Sequence, residues 1–199
     1  MMTVITGPFS PQRMVHAVEK VRQRLFRTAA ALQAANVPYA IVGGNAVALW
    51  VSRVDESAVR NTQDVDVLVR REDFPAATAA LEAAGFIHRH IAGIDIFLDG
   101  TDARPHDAVH IIFANEKMRP DEPLANPDVT ESEESPGAPG YRVLSLEALV
   151  RIKLTAFRDK DRTHLRDLIH NGLLDDGWLT KLHPVLSERL GHLLNTPEG

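Results

Sequence analysis

The sequence predicts a mixed α/β (α+β) fold: a small, mostly antiparallel sheet with flanking helices and a helical block at the C-terminus. Three observations predict it. Helical and strand periodicities follow one another in the order helix, strand, glycine turn, helix, strand, helix, further strands. Val65, Val67 and Val69 alternate with Asp64, Asp66 and Leu68, the period of a strand packed on one face. After a stretch rich in Pro, Asp, Glu and Ser at 119–140, the pattern becomes almost wholly helical. We divide the chain accordingly into a sheet-containing domain at 1–144 and a C-terminal helical block at 145–199 packed on it.

The elements follow in order. Residues 1–10 read as a lead-in ending at Ser10-Pro11, a cap with proline at the first helical position. Val15, Val18, Leu25, Ala29 and Leu32 then recur near helical spacing until Asn36 and Pro38 end the helix. Residues 39–42 (Tyr-Ala-Ile-Val) form a short buried strand, Gly43-Gly44 breaks it, and a helix restarts at Asn45 and runs to about Val51. After a polar loop at 52–63 comes the valine strand. Glu72-Asp73 caps a helix that Gly85 stops. Residues 86–90 and 94–98 are two strands joined across Ala92-Gly93, and a further strand covers 108–113. The 119–140 stretch reads as a long loop with little structure of its own. A short strand at 141–144 leads to a helix opened by Ser145, a second helix at about 161–170 ended by Gly172, and a final amphipathic helix at about 179–194.

Composition narrows the function classes. Hydrophobic residues make up 44% of the 199, so a core can be buried, and the charged fraction of 25% is that of an ordinary globular protein. The net charge of -5, with histidines neutral, argues against a surface built wholly to grip nucleic acid, while leaving room for a local basic patch. With no cysteine, disulfides, thiolate catalysis and Cys-based zinc sites are excluded. No apolar run reaches signal-peptide or transmembrane length, and a cytoplasmic address is expected.

Chemistry gathers in two stretches. At Gly43-Gly44-Asn45 a buried strand meets two glycines and a helix start, where unpaired N–H groups and the helix dipole favour phosphate. At Asp64-Val-Asp66 two carboxylates one residue apart on a strand project from one face. Such a pair repels itself unless a cation neutralises it, and a hard divalent ion such as Mg²⁺ is the natural partner. A solvent-facing edge strand is the alternative for a lone Asp-x-Asp, but here the opposite face is uniformly valine. Together the stretches read as a site for phosphate and metal.

These residues resemble a known family. Gly43-Gly44, a helix, then Thr62-x-Asp64-x-Asp66 is similar to the nucleotidyltransferase superfamily related to DNA polymerase beta. Within it, the nearest kind is the small bacterial nucleotidyltransferase of the abortive-infection toxin type. The segment from Leu146 through Lys153, Arg158, Asp161 and Arg162 to Asp167 resembles that group's helical block, in which a lysine faces the nucleotide. The resemblance spans roughly residues 38–170. It implies a nucleotidyltransferase-type fold and Mg²⁺-dependent transfer of a nucleoside monophosphate from an NTP to an acceptor hydroxyl. Asp64 and Asp66 would hold metal, Gly43, Gly44, Asn45 and Thr62 would meet the nucleotide, and Lys153 would neutralise its phosphates. The acceptor is left open among RNA, a small molecule such as an antibiotic, and a protein side chain. The toxin likeness implies a cognate antitoxin protein as a partner.

The superfamily usually carries a third carboxylate on a neighbouring strand. The candidate here is His106-Asp107-Ala-Val-His110-Ile-Ile-Phe113. Asp107 and His110 are three apart, so on a regular strand they face opposite ways and only one belongs to the site; Asp95 is a weaker third candidate. If His110 is the one, a non-catalytic, nucleotide- or partner-binding descendant of the fold becomes the competing reading. Lys153, among Leu149, Ile152 and Phe157, either snorkels from a core face or points into the cleft with the site carboxylates as its partners. Arg151, Arg158 and Arg162 read as surface or acceptor-facing charges.

Overall fold

The computed structural model describes residues 10–101, 103–104, 107–136 and 140–196. The lead-in at 1–9 and His106 lie outside them. In chain order the helices are α1 (Pro11–Ala34), α2 (Gly43–Ser52), α3 (Phe74–Ala83), α4 (Leu146–Ala156), α5 (Asp159–His170) and α6 (Pro184–Asn195). The strands are β1 (Tyr39–Val42), β2 (Val65–Val69), β3 (Ile87–Ile91), β4 (Ile94–Leu98), β5 (Ala108–Phe113), β6 (Ser132–Glu134) and β7 (Arg142–Leu144). Among the described residues they form one sheet of order β3-β4-β5-β2-β1-β7-β6. Four neighbouring pairs are antiparallel; β2–β5 and β1–β7 are parallel. This is the mixed, mostly antiparallel α/β architecture expected from the sequence.

The two faces of the sheet carry different layers because β2 alternates. Val65, Val67 and Val69 are buried with Leu25, Ala29 and Leu32 of α1 and Ala77 and Leu81 of α3. Leu68 points the other way, into a cluster built from α2 and the three C-terminal helices, with Val47, Leu149, Leu165 and Leu186 among its members. Asp66 shares the face of Leu68 by strand parity. The valine stripe therefore anchors the strand to the α1–α3 layer and turns its acidic face towards the C-terminal helices.

The boundaries have local causes. On α1, Leu25, Ala29 and Leu32 recur at i, i+4 and i+7, one helical face; Asn36 then takes the left-handed conformation (φ 52) and ends the run. Ser145 caps α4, its Oγ accepting from the Ala148 amide at 3.3 Å. Ser10 and Asp73, read as caps from sequence, make no side-chain cap hydrogen bond; Glu72 and Asp73 instead sit in a short 3-10 turn before α3. The last helix starts at Pro184 rather than near 179, because a 3-10 turn at 176–178 and the proline set its first turn.

The acidic stretch is more ordered than its composition implies. Ser132–Glu134 forms β6 and pairs antiparallel with β7. Asp128 receives a two-pronged hydrogen bond from the Arg70 guanidinium (3.0 and 2.8 Å) and another from Asn115 at 2.7 Å. The Arg70 contact, with Thr130 and Asn115, outweighs burial and holds the Asp128 carboxyl far below the usual carboxylate range. The loop is thus tied to the ends of β2 and β5.

Candidate active site at the head of the central strands

Three strands meet where the site forms. β1 ends where antiparallel β2 begins, with Val42 opposite Asp66. β5 runs parallel to β2 on its other side, with Asp66 opposite His110. That register answers the question left open by the sequence: His110 is the residue beside the carboxylates. Its Nδ1 lies 3.5 Å from Asp66 Oδ1 and 3.9 Å from Asp64 Oδ2. One ligand atom from each of the three residues can be chosen so that all lie within 4.8 Å of one another. Two carboxylates and an imidazole at this spacing suit a divalent cation.

Asp107, of opposite parity to His110, instead lines a groove on the α1 side of the sheet with Arg24, Arg27 and Asp99. Asp95 accepts from His88 Nε2 (2.9 Å) and His90 Nδ1 (3.0 Å) at the sheet edge. Burial raises its pKa and the two histidine contacts more than cancel that, leaving it below its ordinary value.

The glycine turn is explained by crowding as much as by phosphate. Gly43 has φ +65, and a Cβ there would stand 1.8 Å from Asp66 Oδ2. A Cβ on Gly44 would stand 2.9 Å from the Thr62 side chain. Both glycines therefore allow the first turn of α2 to close against the acidic residues. Asn45 Nδ2 donates to the Asp64 carbonyl at 2.8 Å and pins that turn to the start of β2. The Thr62 hydroxyl donates to Asp64 Oδ1 at 2.5 Å. Gly43→Ala is expected to displace Asp66 and to cost about 1–2 kcal/mol from the left-handed backbone alone. Urea denaturation and a divalent-ion titration of the variant check this; unchanged stability with unchanged ion affinity would contradict it.

The opposite wall comes from the C-terminal helices. The cleft is about 350 Å³ and is lined by Asp64, Asp66 and His110 on the strand side and by Ile152, Lys153, Arg158, Lys160 and Asp161 on the other. Lys153 does line it, but its partner is not a site carboxylate. Lys153 Nζ lies 3.0 Å from Asp161 Oδ1, both side chains being almost fully buried. Phe157 makes this possible by taking the left-handed conformation (φ 49) between α4 and α5, which turns the first turn of α5 back onto α4. Arg158 Nε completes the cluster, donating to Asp161 Oδ2 at 2.7 Å. Burial raises the Asp161 pKa, and the charge of Lys153 with the hydrogen bond from Arg158 overcomes this, so the carboxylate stays ionised below the usual range.

The cation that reaches the site carboxylates is Lys160, whose Nζ lies 3.3 Å from Asp64 Oδ2. Burial raises the Asp64 pKa, and the Thr62 hydrogen bond and the Lys160 charge together bring it below its ordinary value. Lys160 is not among the site residues expected from the sequence. Its position one residue before Asp161 is the signal that could have singled it out, once Asp161 was known to be buried. Arg151 pairs with Glu131 (2.8 Å) and Arg162 with Asp159, so both are engaged at the surface, whereas Arg158 faces the cleft. Arg60 Nε holds Asp167 of α5 at 2.7 Å, joining the loop before β2 to the helical layer.

Beside Asp64 a smaller concavity is lined by Gly44, Thr62, Lys160 and His164. His164 is buried, its Nδ1 lacks a hydrogen-bond partner among the described residues, and burial with the nearby Lys153 and Lys160 charges pushes its pKa down to about 4. The folded state therefore keeps this ring neutral where the unfolded chain would protonate it. Stability from His164 is complete above about pH 6.5 and is lost as pH falls towards 4, roughly 3 kcal/mol over that window. Denaturation midpoints at pH 7 and 4.5 should differ by that order, and His164→Gln should flatten the difference; an equal slope in the variant would contradict the assignment.

No protein-family model and no curated protein matches the chain. Solved structures do. The crystal structure of ANT(2'')-Ia in complex with adenylyl-2''-tobramycin matches with a TM-score of 0.51 at 17% identity, covering 91% of this chain and 99% of that one. The solution structure of the same antibiotic-resistance factor matches with a TM-score of 0.48 at 18% identity, covering 94% of each chain. The likeness to the crystal structure is one of fold. It supports the nucleotidyltransferase-type architecture implied by the sequence resemblance. Among the described residues no helix is long and apolar enough to cross a membrane.

Proposed function

We propose that the protein transfers a nucleoside monophosphate from an NTP to an acceptor hydroxyl in a divalent-metal-dependent reaction. The observation that carries this reading is the convergence of Asp64, Asp66 and His110 on one face of β2 and β5, opposite a wall that presents Lys160 and Arg158. Asp64 and Asp66 would hold the metal, which when bound neutralises phosphate charge and polarises the phosphorus under attack. The start of α2 at Gly43 and Gly44 offers backbone N–H groups to the phosphates. Lys160, now on Asp64, is exposed enough to leave it for an incoming phosphate. Lys153 and Arg158, both held by Asp161, leave that cluster with one net positive charge at the cleft wall.

Of the acceptor classes left open by the sequence, we propose a small molecule. The neighbour whose complex carries adenylyl-2''-tobramycin is consistent with that choice. The test is incubation of the protein with each α-phosphate-labelled NTP and Mg²⁺ or Mn²⁺, against small-molecule, RNA and protein acceptors. Label appearing on a small-molecule acceptor supports the reading. Label on RNA or protein would favour the toxin-type version, with an antitoxin partner to be sought. Nucleotide binding without transfer to any acceptor would favour the non-catalytic descendant. The specific observation behind that second reading is His110 at the position where a third carboxylate is usual.

A further inference from the structure

We propose that the Asp64–Asp66–His110 cluster selects a divalent cation of the Mn²⁺/Co²⁺ class over Mg²⁺, with His110 Nδ1 as a direct ligand. The inference rests on the reading that this cluster holds a divalent ion and goes beyond it by naming which kind. The nitrogen is built in. The parallel β2–β5 register sets His110 directly opposite Asp66, and Nδ1 already sits 3.5 and 3.9 Å from the two carboxylates. A modest inward movement of each group would give three ligands on one side of an ion, leaving the other side to water or phosphate.

Two physical arguments point the same way. Mg²⁺ binds oxygen at short, near-octahedral distances and dehydrates reluctantly, so an imidazole nitrogen gains it little. Imidazole is a good ligand for first-row transition ions, and affinity rises along that row from Mn²⁺ through Co²⁺. The second argument is charge. A hard ion is drawn chiefly by negative charge, and this cluster has two carboxylates, one of them already paired with Lys160 at 3.3 Å. A neutral imidazole in place of a third carboxylate removes attraction that Mg²⁺ needs more than Co²⁺ does.

The experiment is calorimetric titration of the full chain with MgCl₂, MnCl₂ and CoCl₂ at one pH, without nucleotide, for the wild type and His110→Asp. The wild type should bind Co²⁺ on the order of a hundredfold or more tighter than Mg²⁺, with Mn²⁺ between them. His110→Asp should shrink the Co²⁺/Mg²⁺ ratio by about tenfold or more, mainly by tightening Mg²⁺. A second readout is spectroscopic: the Co²⁺-loaded wild type should show a hyperfine-shifted imidazole N–H in its proton NMR spectrum. His110→Asn assigns that signal by abolishing it. An unchanged Co²⁺/Mg²⁺ ratio in His110→Asp, or bound Co²⁺ without the shifted imidazole proton, overturns the selectivity and leaves the metal-site reading standing. No binding of any of the three ions overturns both.

Discussion

Replacing Asp64 and Asp66 together by asparagine is expected to abolish the divalent-ion dependence of nucleotide binding while leaving the fold intact. Asp66 on β2 and Asp64 just before it both line the cleft, away from the valine stripe that anchors the strand. Thr62 and Lys160 hold the Asp64 carboxylate ionised in the fold, so removing its charge should leave stability unchanged or slightly lower. An amide oxygen in place of the Asp64 carboxylate could still accept from the Thr62 hydroxyl that now donates to it. Lys160 would lose only an exposed ion pair, which is worth little. Binding behaves differently, because the carboxylates are the negative ligands of any ion held there. The loss should reach about 3 kcal/mol or more of metal-assisted affinity, roughly a hundredfold. Calorimetry of NTP binding with and without the ion, alongside thermal melts, separates the two effects. A double variant that kept ion-dependent NTP affinity would remove the basis of the proposed site.

Asp161→Leu should be the most destabilising single change near the cleft. Asp161 is 1% exposed and Lys153 is 6% exposed. Without Asp161, a lysine ammonium is left in the interior with its partner gone, and breaking a buried pair in this way costs about 3–5 kcal/mol. Lys153→Met should cost less, because Asp161 keeps the hydrogen bond from Arg158. The double variant should recover part of the loss, since both desolvated charges are then absent. Urea denaturation of the two single variants and the double gives the coupling directly, and strict additivity would contradict a paired role. The pH dependence has a fixed sign. The folded pKa of Asp161 is depressed, so its contribution is fully present above the unfolded carboxylate's pKa and is lost as pH falls through the lower, folded value. Acid loss from this pair therefore lies below the window in which His164 acts.

What was legible in the sequence was local. The valine alternation at 65, 67 and 69 located β2 and its packed face, because strand parity depends only on neighbours in the chain. The same parity argument showed that Asp107 and His110 could not both face the site. Deciding between them required the register of β5 on β2, which is a tertiary fact. The partner of Lys153 was missed for a related reason. Asp161 is eight residues on, and it returns to Lys153 only because Phe157 adopts a left-handed conformation that no simple residue preference announces. β6 was hidden because Ser132-Glu133-Glu134 has no strand-like composition and exists by pairing with β7. Gly43 and Gly44 were recognised as a turn that could meet phosphate, whereas their approach to Asp66 and Thr62 emerges only when three elements are packed together.

The face shared by Asp64, Asp66 and His110 is proposed to hold the metal and the reacting phosphate. The most direct test is a crystal grown with Mn²⁺ and a non-hydrolysable NTP, with data collected for manganese anomalous scattering. We predict an anomalous peak bound by oxygens of both Asp64 and Asp66, with the triphosphate running from that peak towards the start of α2 and within reach of Lys160. A nucleotide seated elsewhere, such as the α1 groove that Asp107 lines, with no anomalous peak between the two aspartates, would contradict the account.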